Sequence, residues 1–101
     1  MGTSIKSAAF MLERFLSKAA TGDAKALYEL GVAYSTGIGD IEVDLIEAHK
    51  WFNLAALNGS ESGQECRAEI AEEMSAREIA EAQRQARAWL AQTGQGLRRA
   101  A

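Results

Sequence analysis

Hydrophobic side chains recur along most of the chain at intervals of three and four residues, and polar side chains fill the positions between them. This spacing places the hydrophobic residues on one face of an α-helix, whereas a half-buried strand would alternate them at every second position. Short polar segments, most of them containing glycine, separate the stretches that show the pattern. The pattern predicts an all-α chain of five helices, at about residues 3–20, 24–35, 45–58, 61–74 and 76–92.

Side chains that cap helix N-termini stand in front of three of the predicted helices. Asp23 precedes the second helix, and Asp44 precedes the third with Glu47 three residues later. Ser75 and Glu78 form the S-x-x-E pattern of a capping box in front of the fifth. An oxygen at such a position accepts a hydrogen bond from a free backbone N–H of the first turn, so these residues support the predicted helix starts.

Two positions inside the helices predict how the helices pack. Gly31 lies in the middle of the second helix, where glycine is about 1 kcal/mol less favourable than alanine, and such a glycine typically admits a neighbouring helix at close range. We expect Gly31→Leu to destabilise the fold and Gly31→Ala to be tolerated. Trp51 lies on the third helix, which is apolar on nearly all sides, and we expect it to be buried against the first and fourth helices.

The composition of the chain fits an all-helical soluble domain. Alanine supplies 20 of the 101 residues, the three β-branched residue types together supply 12, and proline is missing, which favours helices over strands. A net charge of −3 is not the basic footprint of a nucleic-acid-binding protein, and no stretch approaches the roughly 20 apolar residues of a membrane span. We therefore predict that neither nucleic acid nor a membrane is a partner.

Few residues in the chain carry catalytic or metal-binding chemistry. His49 has Asn53 four residues later, a spacing at which an amide can hold a general base, but its place between core positions favours a surface residue. Cys66 shares the apolar face of the fourth helix with Ile70, which indicates a buried, inert thiol. One histidine and one cysteine do not supply a set of metal ligands. The sequence therefore predicts no catalytic residue, no metal and no cofactor.

Large aromatic residues recur near the ends of alternate helices. Phe15, Trp51 and Trp89 are separated by 36 and 38 residues. Their surroundings repeat as well, because residues 15–22 match 51–59 with one residue missing, and the residues after Trp89 form a weaker third copy. A period in the high thirties with two helices per period is typical of an α-solenoid, in which helix pairs stack on one another.

The segment 24–59 resembles the Sel-one-like repeat family. Residues 24–37 fit the pattern A-x-A-x-Y-x-L-G-x-x-Y-x-x-G of the first helix of that repeat, and residues 44–59 fit the pattern D-x-x-x-A-x-x-W-[YF]-x-x-A-A-x-x-G of the second. The loop between them is one residue longer than the G-x-G-V-x-x-D of the family. The resemblance implies antiparallel helix pairs stacked into a right-handed superhelix that binds other proteins or peptides.

The repeat divides the chain, which we take as one domain over residues 1–101, into four parts. These are a half repeat at 3–22, a full repeat at 23–59, a degenerate capping repeat at 60–94 and a tail at 95–101. The last predicted helix is polar on one side, as expected of a helix that nothing follows.

Four glutamates lie on one side of the fourth predicted helix, and a shift of 37 residues places them on the side of the second helix opposite its apolar face. In the resemblance this side is the inner, concave surface, which is the usual docking surface of the family. A water-exposed acidic helix face is one interpretation, and a groove that attracts a basic segment is the other. The candidate partner-binding residues are Lys25, Tyr28, Val32, Glu65, Glu69, Glu72 and Glu73.

The function that the resemblance implies is protein–protein or protein–peptide interaction without catalysis. An alternative is a structural module that associates with itself through the first helix, where Phe10 and Met11 lie beside the apolar stripe. A remote alternative is a hydrolase, since some family members are linked to β-lactam binding or hydrolysis, but those depend on paired cysteines and this chain has Cys66 alone. The residues match no targeting signal, which fits the cytoplasm and, for a segment of a longer chain, the bacterial periplasm.

Overall fold

Five helices make up the described part of the chain, as the hydrophobic spacing predicts. The computed structural model describes residues 3–95, with side chains from Ala8 onward, and this range contains no strand. The helices are α1 (Thr3–Ala19), α2 (Ala24–Thr36), α3 (Leu45–Leu57), α4 (Glu61–Ala71) and α5 (Ala76–Thr93). The all-α fold is thereby confirmed, and the largest difference is that α4 ends at Ala71, three residues before the expected end.

Side-chain oxygens cap the start of each helix from α2 to α5. The predicted N-caps Asp23, Asp44 and Ser75 accept hydrogen bonds from backbone N–H groups of the first turn, and Ser60 does the same for α4. Ser75 and Glu78 form the full reciprocal capping box, with distances of 2.8 and 3.1 Å. Helix starts therefore follow from short local patterns in the sequence.

The helices α2 and α3 run antiparallel, and a glycine lets them approach closely. Near the end of α2, the carbonyl of Tyr34 accepts a hydrogen bond from the backbone N–H of Asp44, just before α3 begins. Farther along, Gly31 of α2 lies directly against the ring of Phe52 of α3: a Cβ atom on Gly31 would stand less than 3.0 Å from three ring carbons. Any side chain at position 31 must displace Phe52, which is 1% exposed, so the geometry argues against the expectation that Gly31→Ala is tolerated.

A glycine also permits the close contact between α3 and α4. A Cβ atom on Gly63 of α4 would lie 2.9 Å from the Cβ of Ala55 on α3. Both residues are buried, and the glycine lets the α4 backbone pack directly on α3. As a result α3 has close neighbours on two sides, α2 and α4, which explains why its sequence is apolar nearly all round.

The two tryptophans join α3 to α5 at the centre of the core. Trp51 is buried, as expected, and meets Trp89 edge to face, with ring centroids 4.8 Å apart and planes at 79°. The indole N–H of Trp51 donates to a carboxylate oxygen of Glu47 at 3.0 Å, so its polar atom is satisfied. The ring contact with the fifth helix was not expected, and Trp51 belongs to the same buried cluster as Ala19 of the first helix. Its expected contact with the fourth helix stays a prediction.

Gln95 ties the end of α5 to the end of α1. It is buried, and its side-chain amide donates to the carbonyls of Ala19 and Ala20 at 3.0 and 2.8 Å. These carbonyls lie at the C-terminal end of α1, where that of Ala19 also accepts from the backbone N–H of Gly22 at 2.9 Å. The predicted tail at 95–101 is therefore wrong at Gln95, and its remaining residues, 96–101, lie outside the described range.

Removing the indole of Trp51 tests the central core contact. We expect Trp51→Ala to reduce the free energy of unfolding by about 3–5 kcal/mol, because it leaves a cavity beside Trp89. Urea denaturation followed by circular dichroism measures this loss, and Trp51→Phe should lose less. A Trp51→Ala midpoint equal to that of the parent would contradict the packing.

Substitution of Gly31 tests the close approach of α2 and α3. Gly31→Ala should lose roughly 1–3 kcal/mol despite its better helix propensity, and Gly31→Leu should lose more, since both collide with the ring of Phe52. A double-mutant cycle with Phe52→Leu separates this collision from other effects, because the smaller side chain should relieve part of the Gly31→Ala loss. Additive losses in the cycle would show that the two residues do not touch.

Candidate partner-binding surface

Tyr28 and Cys66 join α2 and α4 on the side of the molecule that the repeat register predicts to be the docking surface. The ring of Tyr28 packs on Phe52, with centroids 5.6 Å apart, and its hydroxyl lies near the thiol of Cys66. Interaction with Cys66, followed by burial, raises the pKa of the Tyr28 hydroxyl above its ordinary value. Cys66 is half-buried, so the expectation of a fully buried thiol is corrected.

The four candidate glutamates do not share one helix face as predicted. Glu65 and Glu69 lie exposed on α4, whereas Glu72 is the C-terminal cap and Glu73 follows it in the turn. Glu69 lies near enough to Tyr28 for its charge to contribute to the raised pKa of that residue. At the contact between α2 and α4, which we call the α2–α4 seam, Tyr28 lies near Cys66, and Glu69 is near enough for its charge to act on Tyr28.

Two other candidates lie in separate depressions of the surface. Lys25 lines a groove of about 330 Å³ between α1 and α2, together with Phe15, Lys18, Asp23, Ala26 and Glu29. Glu65 lines a shallow depression on α4 with Glu61, Gln64 and Ala68. Val32 is half-buried on α2.

Sequence reasoning overlooked Glu61 and the neighbours of Lys25. Glu61 precedes Glu65 by four residues, so its spacing already placed it on the same side of the helix. Lys18 belongs to α1 and meets Lys25 only through the packing of α1 on α2, which no pattern within one helix predicts.

Negative charge is concentrated on α4 and the turn that follows it. Residues 61–74 hold five of the chain's 14 acidic residues and one of its 11 basic residues, so this segment is more negative than the chain as a whole. Neither ion pair among residues 8–95 involves it, since these pairs join Lys50 to Glu47 and Arg84 to Glu81. The one arginine of the segment, Arg67, points to α3, where it donates to the amide oxygen of Asn53. The carboxylates are left without a neutralising neighbour in the described range.

His49 lies inside the α3–α4 contact and not on the surface, which corrects the sequence-based expectation. It is 3% exposed, and its Nδ1 atom has no hydrogen-bond partner among the described residues. Burial, then the positive charge of Arg67, lower the pKa of the imidazole below 6.5. Asn53, the amide considered as a holder of His49, accepts its hydrogen bond from Arg67 instead. The pair is therefore part of a junction between two helices.

Residues 3–95 contain no group of three histidine, cysteine or acidic side chains placed to hold a metal ion. The helices in this range are also too short or too polar for any of them to cross a lipid bilayer.

Residues 24–60 match the family model of the Sel1 repeat. The match covers α2, α3 and the loop between them, and it confirms the resemblance drawn from the sequence for this segment. No curated protein and no solved structure matches the chain. The half repeat at 3–22 and the degenerate repeat at 60–94 stay predictions.

The buried imidazole predicts that the fold loses stability in mild acid. The pKa of His49 is 6.5 in the unfolded chain and lower in the folded protein, so below pH 6.5 the unfolded state binds more protons. The free energy of unfolding should therefore fall as the pH drops from 6.5 towards the folded pKa, and the contribution of His49 should be constant above 6.5. Urea denaturation at several pH values measures this slope, and His49→Gln should flatten it. Equal slopes in the two proteins would contradict the assignment.

Proposed function

We propose that this chain, which carries a Sel1 repeat at residues 24–60, binds a basic segment of another protein along α2 and α4 without catalysing a reaction. Sel1 repeats are helical modules that generally mediate contacts between proteins. Stacked helix pairs suit this role because they present an extended surface built from several helices, and each helix supplies a short row of side chains to a partner.

The observation that carries the proposal is the unneutralised charge of residues 61–74. Its carboxylates are exposed, and no ion pair in the described range involves them. A surface of one sign attracts segments of the opposite sign and raises their rate of association. Lysine and arginine are therefore the side chains that the partner segment should carry.

The seam between α2 and α4 supports a specific mode of contact. Tyr28 offers a half-buried aromatic surface, and Glu69 lies close to it. A lysine or arginine of the partner can lay its apolar stem, or its cation, on the ring of Tyr28 while its charge meets Glu69. Val32 and Cys66, both half-buried, add apolar surface beside this contact.

The hydrolase alternative, which comes from the family resemblance, gains no support from the candidate general base. His49 is buried between two helices, and Asn53 is engaged by Arg67. The chain has a single cysteine, whereas the family members linked to β-lactams depend on paired cysteines. A binding role requires only the exposed carboxylates of residues 61–74 and the ring of Tyr28 at the α2–α4 seam.

Charge reversal on α4 tests the proposal. The probes are a lysine-rich and a glutamate-rich peptide library of equal length, with binding measured by fluorescence anisotropy. The parent should prefer the lysine-rich library, and the Glu65→Lys, Glu69→Lys double variant should lose that preference. Each exposed ion pair contributes about 0.2–1 kcal/mol, so we expect affinity for lysine-rich peptides to fall on the order of tenfold, mainly through slower association.

A matched double variant on the α2–α3 loop is the control. Asp40 and Glu42 are exposed acidic residues outside α4, and Asp40→Lys with Glu42→Lys makes the same change in net charge. This control should keep most of the affinity, and added salt should weaken binding by the parent. Equal losses in the two double variants, or binding that salt does not change, would show that the acidic segment is not the docking surface.

A further inference from the structure

Basic side chains are concentrated on α1, in contrast to the acidic segment 61–74. Residues 3–19 hold three of the chain's 11 basic residues and one of its 14 acidic residues, although the chain as a whole has a net charge of −3. Arg14 and Lys18 are exposed, and no ion pair among residues 8–95 involves either of them. This helix therefore presents positive charge that no neighbour in the described range neutralises.

Both cations share one face of α1 with two apolar side chains. Spacings of three, four and seven residues from the first member place the four side chains within an arc of roughly 100° around the helix. The same four residues together line one depression of about 240 Å³, and they are Met11, Arg14, Phe15 and Lys18. Glu13, the one acidic residue of α1, lies at least about 100° away from each of them around the helix.

The depression combines apolar walls with positive charge. Met11 is 36% exposed and Phe15 is half-buried, so both leave apolar surface open to a partner. Arg14 and Lys18 are the charged residues that line the depression, and no acidic residue lines it. A site of this kind fits an apolar side chain that has carboxylates beside it, because the carboxylates can pair with the two cations.

The groove between α1 and α2 continues from this depression, since Phe15 and Lys18 line both. The groove, of about 330 Å³, adds a third exposed cation, Lys25, which also takes part in no ion pair among residues 8–95. Two acidic residues line it as well, Asp23 and Glu29, but the carboxylate of Asp23 is engaged in capping α2. The joined depressions therefore carry three cations and one carboxylate that does not cap a helix.

We propose that the surface lined by Met11, Arg14, Phe15, Lys18 and Lys25, which we call the basic α1 face, docks an acidic segment of another protein. An apolar side chain of that segment enters the depression between Met11 and Phe15. Its flanking carboxylates meet Arg14 and Lys18, and a further carboxylate reaches Lys25. This docking goes beyond the binding proposed for the α2–α4 seam and is independent of it, so that one molecule can bridge an acidic and a basic segment.

Charge favours a short acidic segment over other occupants of the basic α1 face. In a symmetric pair of two copies this face would meet itself, and the cations of Arg14 and Lys18 would lie opposite like charges. Nucleic acid and an anionic bilayer are extended polyanions, and the net charge of −3 opposes their approach to the molecule. A short acidic segment, by contrast, meets only the positive part of the surface.

Fluorescence anisotropy with a labelled, glutamate-rich peptide that carries one central leucine tests the docking. The parent protein should bind this peptide, and added salt should weaken the binding. Replacing the glutamates by glutamine should weaken it on the order of tenfold, because the ion pairs are lost. Replacing the leucine by serine should also weaken it, since nothing apolar then enters the depression. A parent that binds either altered peptide as tightly as the first overturns the proposal.

Reversing two cations on α1 locates the site. Arg14→Glu with Lys18→Glu should weaken binding of the leucine-bearing peptide on the order of tenfold or more. The matched control is Arg77→Glu with Arg87→Glu on α5, which makes the same change in net charge at exposed residues that are likewise in no ion pair among residues 8–95. This control should keep most of the affinity, and thermal melting followed by circular dichroism shows that both variants are folded. Equal losses in the two variants overturn the proposal.

Three further measurements separate this docking from other uses of the molecule. The Glu65→Lys, Glu69→Lys variant should bind the leucine-bearing peptide no more weakly than the parent, so failure at the α2–α4 seam and failure at the basic α1 face are distinguishable. Vesicles that contain phosphatidylserine should not bind the parent. Vesicle binding that Arg14→Glu with Lys18→Glu abolishes would overturn the proposal in favour of a lipid surface. Self-association of the parent that the same variant abolishes, measured by sedimentation velocity, would overturn it in favour of the acidic segment of a second copy.

Discussion

The contact between Phe52 and Gly31 is the constraint on which the rest of the structure depends. The ring of Phe52 occupies the space that any side chain at position 31 would need, so it fixes how closely α2 and α3 approach. Tyr28 rests on the same ring, 5.6 Å away between centroids, and this places its hydroxyl at Cys66 of α4. The spacing of one helix pair thus sets the position of the seam that we propose as the docking surface.

The helix α3 is the structural centre because every other element is placed relative to it. Gly63 brings α4 onto it, and the edge-to-face contact of Trp51 with Trp89 brings α5 onto it. Gln95 then closes the arrangement by capping the end of α1. With the apolar residues of α4 directed inward, its carboxylates are left in water without partners, and this is what gives that surface its charge.

Local signals in the sequence were sufficient for the helices and insufficient for their junctions. Periodicity and capping residues act within a few positions, so the helix starts at Asp23, Asp44 and Ser75 could be read directly. The burial of His49 depends on where α4 lies, which the spacing within α3 does not contain. The contact of Gln95 with α1 spans about three-quarters of the chain and has no local signature at all.

The acidic character of the candidate surface could be predicted from the sequence, but the positions of several of its residues could not. The sequence shows the glutamates as a group, but α4 ends at Ala71 and no glycine there indicates that end. Glu72 and Glu73 therefore lie in the turn that follows the helix. Lys25 was grouped with the glutamates as a candidate, yet it lines the groove between α1 and α2. Tyr28 and Glu69 lie near enough for the charge of Glu69 to contribute to the raised pKa of Tyr28.

Mapping of a lysine-rich peptide onto the isotopically labelled protein by nuclear magnetic resonance tests the central claim most directly. If a basic segment docks along α2 and α4, the largest changes in backbone amide shifts should occur at Tyr28, Cys66 and Glu69, and added salt should reduce them together. Changes confined to α1 or α5, with the seam unaffected, would contradict the account.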